Sequence, residues 1–198
     1  MIKFATTVKK RFRRFTRDIV RRTPKEWRYP LYRNHVNLSY ELPKNLTLKL
    51  AETQEELEKA YSLVHDSYIE MGYMDPHNSG MRLGFYNMLP YTTTVIALWD
   101  DEVIGTFSIV LNNPARLPIE SDFDITYLNR RYSRVAEIIG LTVKKDFRSS
   151  HGNILFPLLK YLYNFSYRYL GVDCLVIAVS PSYAELYKGI MMFEQIED

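Results

Sequence analysis

The sequence predicts a mixed α/β domain, and three observations lead to this fold class. Short β-rich runs alternate with amphipathic helical patterns in the order strand, helix, hairpin, long loop, strand, helix, strand, helix. The chain has 198 residues, of which 25% are charged and 46% hydrophobic, and these values suit one globular domain. No internal repeat interrupts the order of elements. One mixed α/β domain with a basic extension at its N-terminus is therefore expected.

A strand followed by a capped helix opens the predicted domain. LTLKLAE, over 46–52, is rich in strand-forming residues. Thr53 and Glu56 then form the capping-box pattern with which helices begin, and apolar residues recur along one stripe of the next segment. We therefore expect a helix over 54–72. The turn-rich segment after it is expected to be a loop or a short helix that covers a cleft.

A hairpin and a long connection come next. TTVIALWDDEVIGTFSIVL contains two β-rich runs around Asp100-Asp101-Glu102, which predict the hairpin. Gly105 in the second run indicates a bulge or a close backbone approach. Residues 112–133 show no regular pattern. Because a long irregular stretch inside a compact domain is often functional, we expect a functional loop there.

The remaining elements alternate between strand and helix. RVAEIIGLTV predicts a strand that ends at Val143, and GNILFPLLKYLYNFSYRYL predicts a helix. DCLVIAVS is almost wholly apolar, which predicts a strand covered on both faces and a buried Cys174. SPSYAELYKGI predicts a final helix with Ser180 as its cap and Pro181 at its first position.

The net charge of +3 conceals a separation of charge along the chain. Residues 1–45 carry 13 Lys/Arg and 3 Asp/Glu, a net charge of +10, whereas residues 46–198 carry 13 and 20, a net charge of −7. Within 1–22, apolar residues at helical spacing form one stripe among basic ones. We therefore expect a basic amphipathic helix over 1–22, a linker over 23–45 that packs on the domain, and the domain itself over 46–198.

The basic helix suits an anionic membrane surface or an acidic protein. A helix packed on the acidic surface of its own domain, or an organellar transit peptide, would show the same pattern. Nucleic acid is not expected as a partner, because the domain is acidic and lacks a base-reading motif. The scattered histidines predict no metal site, and the single cysteine fits a reducing compartment. No apolar run is long enough for a membrane span, so a cytoplasmic protein is expected, held peripherally at a membrane through 1–22.

The junction after the strand that ends at Val143 is a candidate site for an anion. A helix that begins after such a loop offers unpaired N–H groups and the positive end of its dipole, and a glycine lets an anion approach the backbone. The alternative is an ordinary turn, since many strand-to-helix turns contain glycine. The residues of the junction are Arg148, Ser149, Ser150, His151, Gly152 and Asn153.

Four patches of the sequence resemble one family of acyltransferases. These patches are AYSLVHDSYIEMGYMDP, LPIESDFD, AEIIGLTVKKDFR and SPSYAELYKGIMMFE. Their order and spacing, over residues 46–194, are similar to those of the N-acyl amino acid synthase branch of the GNAT superfamily, which is related to the acyl-homoserine-lactone synthases. The resemblance implies a GNAT-like mixed central sheet with flanking helices. It also implies an N-acyltransferase that moves a long acyl chain from acyl carrier protein or acyl-CoA to the amine of an amino acid or a similar small molecule.

The sequence also departs from the pattern of this branch. Gly140 stands where the branch usually has arginine, and Met192 replaces the glycine before Phe193. The superfamily normally continues into a last strand beside the one at 173–179, and the sequence shows no such strand after Phe193. Without that strand the run CLVIAV would present an unpaired edge, so a truncated product, a strand supplied by a homodimer partner or another chain, or a rearranged sheet is expected. Further replacements relative to the branch are Ser180, Tyr183 and Leu186.

The resemblance implies roles for individual residues. Glu137 is the candidate base and Tyr187 the candidate acid beside the departing thiolate. The backbone at Leu141 and Val143 would bind the acyl-pantetheine arm, and the junction residues would contact its phosphate. The co-substrate would be acyl-phosphopantetheine or acyl-CoA, with no tightly bound cofactor. Side chains expected at the acyl chain or the acceptor amine are Phe85, Tyr86, Glu120, Phe123, Tyr161, Tyr163 and Phe165.

Each of these roles has a structural alternative. Glu137 would serve equally as the cross-strand partner of a basic residue, Tyr187 as core packing, and Arg148 as the ion-pair partner of Asp146. His151 is more typical of a helix start, Glu120 and Asp124 of solvated charges, and the aromatic side chains of an ordinary core. For the whole domain, the alternative to an enzyme is a non-catalytic module of the same fold that binds acyl carrier protein or lipid at a membrane.

Overall fold

The computed structural model describes residues 29–30, 42–148 and 154–196. The basic helix predicted over 1–22 lies outside the described residues, and so does most of the linker predicted over 23–45. Both therefore stay predictions.

The chain divides into two compact units. Residues 38–178 form the larger unit, and residues 1–37 together with 179–198 form the smaller one. The larger unit contains the sheet and the helices that pack on it. The smaller unit contains the last helix, which follows the sheet in the sequence.

A five-stranded mixed sheet is the framework of the larger unit, which confirms the predicted fold class. The strands lie side by side in chain order, with antiparallel pairing except between the last two, which are parallel. The parallel pair requires a crossover, and a helix provides it. The strands are β1 (Leu46–Leu50), β2 (Thr92–Trp99), β3 (Glu102–Leu111), β4 (Val135–Val143) and β5 (Cys174–Ile177).

The helices connect these strands in the predicted order. They are α1 (Gln54–Glu70), α2 (Thr126–Arg131), α3 (Leu155–Asn164), which continues as a π-helix over Phe165–Tyr169, and α4 (Pro181–Gly189). The predicted capping box is present, because Thr53 Oγ1 accepts from the Glu56 N–H while the Glu56 carboxylate accepts from the Thr53 N–H. None of the helices in the described part of the chain is both long and apolar enough to cross a membrane.

The segment predicted to be irregular, 112–133, contains a 3₁₀ helix over Pro118–Ser121 and the short helix α2. The expectation of a wholly irregular stretch was therefore wrong. Each helix is too short for apolar residues to recur over several turns, which is the signal that predicts a helix from sequence. Just before α2, Asp124 Oδ1 accepts from the Thr126 N–H at 2.9 Å, so this side chain is not merely a solvated charge.

The hairpin between β2 and β3 closes on Asp100 and Asp101, both with positive φ, as a two-residue hairpin turn requires. Gly105 marks a close approach, as predicted. A Cβ at this position would lie 3.3 Å from the Ala97 Cβ and 3.4 Å from Leu158 Cδ2 of α3. The pairing shifts by one residue beside it, which places a bulge there as well.

The edge strand β5 is only partly buried. It extends over Cys174–Ile177, shorter than predicted, and within the described residues it pairs only with β4. Cys174 is half-buried, and of the four residues only Val176 is buried. The prediction of a strand covered on both faces was therefore wrong. An apolar composition shows that a strand is suited to burial. How much of the strand is buried depends on its position in the sheet, and β5 lies at the edge.

The smaller unit is described through Tyr29, Pro30 and residues 179–196. In this unit the Tyr29 hydroxyl donates to Glu185 Oε2 at 2.7 Å, so the N-terminal segment contacts α4. Ser180 precedes α4 and Pro181 begins it, as predicted, but Ser180 makes no side-chain cap. Its hydroxyl lies 3.0 Å from the Ser182 hydroxyl.

Candidate active site

The candidate base, Glu137, lies in the middle of β4 with its side chain among apolar residues. Its cross-strand neighbours are Val110 on β3 and Val176 on β5. Both belong to an apolar cluster that the segment after β3 covers with Leu117, Ile119, Ile125 and Leu128. Only 3% of Glu137 is exposed, which makes it the one buried carboxylate among the described residues. Since neither cross-strand neighbour is basic, the alternative role of Glu137 as partner of a basic residue was wrong.

One backbone hydrogen bond orients this carboxylate. The Ile119 N–H, in the first turn of the 3₁₀ helix, donates to Glu137 Oε2 at 2.7 Å. The adjacent Glu120 carboxylate accepts from the Leu117 N–H, also at 2.7 Å. Backbone N–H groups at the beginning of the 3₁₀ helix thus bind two carboxylates, that of the buried Glu137 and that of the partly exposed Glu120. Glu120 is therefore anchored rather than a freely solvated charge.

The surroundings of Glu137 change its acidity. Burial raises the pKa of Glu137 from 4.5 to about 7, the hydrogen bond from Ile119 opposes this rise, and the negative charge of Glu120 adds to it. A carboxylate with a pKa near neutrality takes up and releases protons at the pH at which enzymes work. The raised pKa is compatible with the predicted role of Glu137 as a base, which stays a prediction.

A bulge interrupts β4 beyond Glu137. Ser108 of β3 pairs with Ile139 and Thr106 with Thr142, so that Gly140 and Leu141 together stand opposite a single residue of β3. Gly140 has φ of +63°, and a Cβ there would lie 3.3 Å from Val64 Cγ2 on α1. The glycine that departs from the family pattern thus occupies a position where the backbone favours glycine.

The pairing between β4 and β5 ends at Ile138, whereas β4 continues to Val143. The strand predicted to bind the pantetheine arm thus extends past its parallel partner in the described part of the chain. Leu141, half-buried, lies in this extension. Its role in binding stays a prediction, and the strand geometry is compatible with it.

Arg148 is held at the end of β4 by three contacts. Its Nε donates to the Val143 carbonyl at 2.8 Å, and one terminal nitrogen lies 3.5 Å from Ser67 Oγ and 3.4 Å from Glu70 Oε2. Glu70 also pairs with Lys145 at 2.6 Å. Two cations therefore flank the start of the candidate anion loop, and a carboxylate from α1 holds both. Ser149, Ser150, His151, Gly152 and Asn153 lie outside the described residues, and their roles stay predictions.

The aromatic residues predicted at the substrate divide into three groups. Tyr86 and Phe123 pack against the apolar cluster that surrounds Glu137. Phe85 is 57% exposed although it contacts the Tyr86 ring, and Tyr163 is 62% exposed on the outer face of α3. The prediction that Tyr163 walls an acyl tunnel or fills the core was wrong. Tyr161 and Phe165 stack on each other 6.0 Å apart.

The candidate acid, Tyr187, belongs to the smaller unit, and its role stays a prediction. Its ring packs edge-on against Phe193, with centroids 5.7 Å apart, and its carbonyl accepts from the Phe193 N–H at 3.0 Å.

Sequence analysis missed Ile119, Glu70 and Lys145 at the site. Ile119 acts through its backbone N–H, which leaves no signal in side-chain identity. In the described residues, no group of three or more His, Cys, Asp or Glu side chains is arranged to hold a metal.

Comparison with solved structures places the chain in a known class. A TM-score of 0.61 relates it, at 16% identity over 72% of this chain and 76% of the other, to FeeM, an N-acyl amino acid synthase from uncultured soil microbes. A predicted acetyltransferase from Clostridium acetobutylicum, solved with acetyl-CoA, gives 0.56 at 19% identity, over 77% and 92%. A possible acetyltransferase from Clostridium difficile 630 gives 0.54 at 11%, over 78% and 95%. At identities of 11–19%, these likenesses show that the chain shares the fold class of these acyltransferases.

The family within this class follows from the sequence match. Residues 59–198 match the family model of the N-acyl amino acid synthase FeeM, and the chain belongs to this family. No curated protein matches the sequence. Membership makes the chain an N-acyltransferase, which decides against the non-catalytic module as the alternative.

Proposed function

We propose that this protein is an N-acyl amino acid synthase that transfers a long acyl chain from a pantetheine thioester to the amine of an amino acid or a similar small molecule. The observation that carries the proposal is Glu137, a buried carboxylate with a pKa of about 7 on β4 of a GNAT fold. Family membership supports the amide-forming chemistry.

The reaction needs one proton acceptor and one proton donor. An amino acid enters as an ammonium group, which cannot attack until it loses a proton. Glu137 takes that proton, directly or through one bridging water. The free amine then attacks the thioester carbonyl, the C–N bond forms and the C–S bond breaks. The departing thiolate takes up a proton, for which the family resemblance implies Tyr187 as the candidate donor, and the second proton lost by the attacking nitrogen replaces it. The products are an amide, a free thiol and a protonated Glu137.

The donor is bound through its arm and its phosphate. We propose that the extension of β4 near Leu141 contacts the arm, while Arg148, Lys145 and the loop over 149–153 face the phosphate. A cation pair at this place suits the charge of either an acyl carrier protein prosthetic group or coenzyme A. The relative solved with acetyl-CoA supports a pantetheine thioester in general and leaves the carrier to experiment.

The basic segment over 1–22 is proposed to bring the protein to its donor or product. An acidic acyl carrier protein and an anionic membrane surface both attract a helix of this charge. In either case the enzyme is proposed to work in the cytoplasm, at the membrane surface into which an acylated amino acid would partition.

The test is a thiol-release assay on the purified full-length chain. Long-chain acyl-CoA and long-chain acyl carrier protein are offered in separate arms, each with a panel of amino acids and simple amines. We expect thiol release that depends on the amine, together with an amide of matching mass. A folded protein that releases no thiol above background with any combination would overturn it.

A matched pair of variants assigns the chemistry to Glu137. Glu137→Gln keeps an oxygen that can accept the Ile119 hydrogen bond but cannot take up a proton, and a well-placed base contributes about 10²–10⁴-fold. We expect turnover to fall within that range without loss of folding. Glu58→Gln, on the exposed side of α1, should leave turnover unchanged.

A further inference from the structure

Three buried hydroxyl groups lie close together in the larger unit. Thr94 on β2 is directly opposite Ser108 on β3, and their hydroxyl oxygens are 2.8 Å apart. The Tyr61 hydroxyl of α1 lies 3.5 Å from Thr94 Oγ1. Tyr61 is 7% exposed, Thr94 6% and Ser108 4%. Because a buried hydroxyl costs free energy unless it forms hydrogen bonds, the three groups, here called the hydroxyl cluster, bind first to one another.

The strand register places the hydroxyl cluster beside Glu137. Val110 of β3 is opposite Glu137, and Ser108 lies two residues from Val110, on the same face of the strand. Val110 and Val135 share one apolar cluster, so this is the face that carries Glu137 on β4 as well. Ser108 is therefore a diagonal neighbour of Glu137 across the pair of strands.

The separation of diagonal neighbours suits one water molecule. Such residues are about 7–8 Å apart, and their Cβ atoms are somewhat closer. Two O–H···O hydrogen bonds in series span about 5.5 Å. A single water can therefore bridge the Ser108 hydroxyl and the Glu137 carboxylate.

One oxygen of Glu137 is left for such a water. The Ile119 N–H binds Oε2, and among the residues that the structure describes Oε1 has no hydrogen-bond donor. A buried carboxylate oxygen without a donor is costly, and a water that donates to it lowers this cost. A buried water forms about three hydrogen bonds. Glu137 Oε1 and Ser108 Oγ provide two of them, and an incoming ammonium group provides the third.

The hydroxyl cluster can direct a proton toward this water. Three hydroxyls carry three protons, and the two contacts within the cluster use two of them. When Tyr61 donates to Thr94 and Thr94 donates to Ser108, the third proton remains on Ser108, the member of the cluster next to Glu137. Ser108 then donates to the water, which strengthens the hydrogen bond that the water donates to the carboxylate.

We propose that Ser108, supported by Thr94 and Tyr61, positions the water through which Glu137 takes the proton of the acceptor amine. This inference rests on the proposed function and identifies residues that serve it. The ammonium group gives a proton to the water while the water gives one of its own protons to Glu137. The water is thereby regenerated, the amine becomes neutral and Glu137 becomes protonated. Ser108 transfers no proton itself and is a positioning residue.

The variants Ser108→Ala and Ser108→Thr test this proposal in the thiol-release assay on the full-length chain. We expect Ser108→Ala to lower kcat about tenfold, less than the loss of the base itself, with the KM for the thioester unchanged. The midpoint of kcat/KM against pH should move upward, because the charged form of Glu137 loses a hydrogen bond that supports it. Ser108→Thr keeps the hydroxyl and should retain the parent values.

Thr106→Val is the matched control. It removes another buried hydroxyl of β3, which donates to the Val95 carbonyl at 2.8 Å and does not belong to the hydroxyl cluster. It should leave kcat and the midpoint unchanged. Glu120, whose negative charge also acts on Glu137, is the same in all of these variants.

A measurement without substrate separates this inference from the proposed function. Carbon-detected NMR, with the Glu137 signal assigned from its loss in Glu137→Gln, follows the titration of this carboxyl group. We expect a higher pKa in Ser108→Ala and the parent value in Thr106→Val. Thr94→Val removes the support of Ser108 and should raise the pKa too, which keeps the test available if Ser108→Ala does not fold.

The outcomes of the two measurements are distinct. A pKa of Glu137 that is unchanged in folded Ser108→Ala or Thr94→Val would overturn the inference, and so would an equal rise in Thr106→Val. The expected rise, together with a parent that releases no thiol with any amine, would retain the water site and overturn the proposed function.

Discussion

At the scale of the residue, the burial of Glu137 supports the proton-transfer role that we propose for it. Moving its pKa from 4.5 to about 7 corresponds to about 3 kcal/mol of differential interaction between the neutral and charged forms. The apolar cluster causes this shift, since the nearest cross-strand side chains are valines. The strand pattern of the sequence predicted that Glu137 lies on a strand. Its apolar environment, however, depends on the segment after β3, which is distant from Glu137 in the sequence. The contact with Ile119 could not be predicted, because it uses a backbone N–H.

The pH dependence of the rate follows from this environment. A base must be deprotonated to act, so kcat/KM should rise with pH through about 7 and level off above it. Glu137→Gln should lose this rise along with most of its activity. Steady-state kinetics between pH 5.5 and 8.5 with a fixed thioester provides the measurement. A profile of the parent that is flat across this range would contradict the assignment.

The same shift predicts a change in stability. The folded protein holds Glu137 with a raised pKa, so its neutral form stabilises the fold below about pH 4.5, and this contribution is lost as pH rises through about 7. Glutamine mimics the neutral acid at every pH. The advantage of Glu137→Gln in free energy of unfolding should therefore grow between pH 5 and 8.5, toward an upper limit of about 3 kcal/mol. Urea unfolding at the two pH values measures it, and a difference that shrinks with pH would count against the raised pKa.

Met192 illustrates a local departure from the family pattern. It replaces the glycine expected before Phe193 and retains a left-handed backbone with φ of +59°. A non-glycine residue is strained in this region, and 69% of Met192 is exposed, so its side chain contributes little packing. Met192→Gly should therefore raise the free energy of unfolding by about 0.5 kcal/mol, with Met191→Gly as the destabilising comparison. A loss of stability in Met192→Gly would show that the side chain packs more than its exposure indicates.

At the scale of the element, the sequence predicted long periodic segments well and short or edge segments poorly. α1 was predicted within two residues at its C-terminal end because it combines a capping box with a repeating stripe. α2 and the 3₁₀ helix before it were missed because neither repeats, and β5 was expected to be covered because composition does not report position in a sheet. The contact of Arg148 with Glu70 joins two elements distant in sequence, and no local pattern encodes it.

The bulge in β4 gives a prediction at this scale. Gly140 combines φ of +63° with a close approach to Val64, so Gly140→Ala introduces both backbone strain and a contact at 3.3 Å. We expect a loss of about 1–3 kcal/mol in the free energy of unfolding and a lower rate, because the bulge sets the path of Leu141. Chemical denaturation measures the loss. Gly80→Ala, where φ is +63° and a Cβ would have no neighbour within 4 Å, is the matched control for strain alone.

At the scale of the whole molecule, charge and chemistry occupy different parts of the chain. The basic character lies in residues 1–45, and residues 46–198, which include Glu137, have a net charge of −7. The family and the fold class could be predicted from four short patches, because their order and spacing carry more information than any one of them. The division of the chain into two units could not be predicted, since it depends on contacts between the N-terminal segment and α4.

We propose that Glu137 acts as the base when an amide forms between a fatty acyl thioester and an amino acid. Mass spectrometry of the lipids gained when the chain is expressed tests it most directly, because one spectrum reports the acceptor and the acyl length together. We expect a new N-acyl amino acid in cells with the parent chain and its loss in cells with an equal amount of folded Glu137→Gln. No new amide with the parent, or the same amide at the same level with Glu137→Gln, would contradict it.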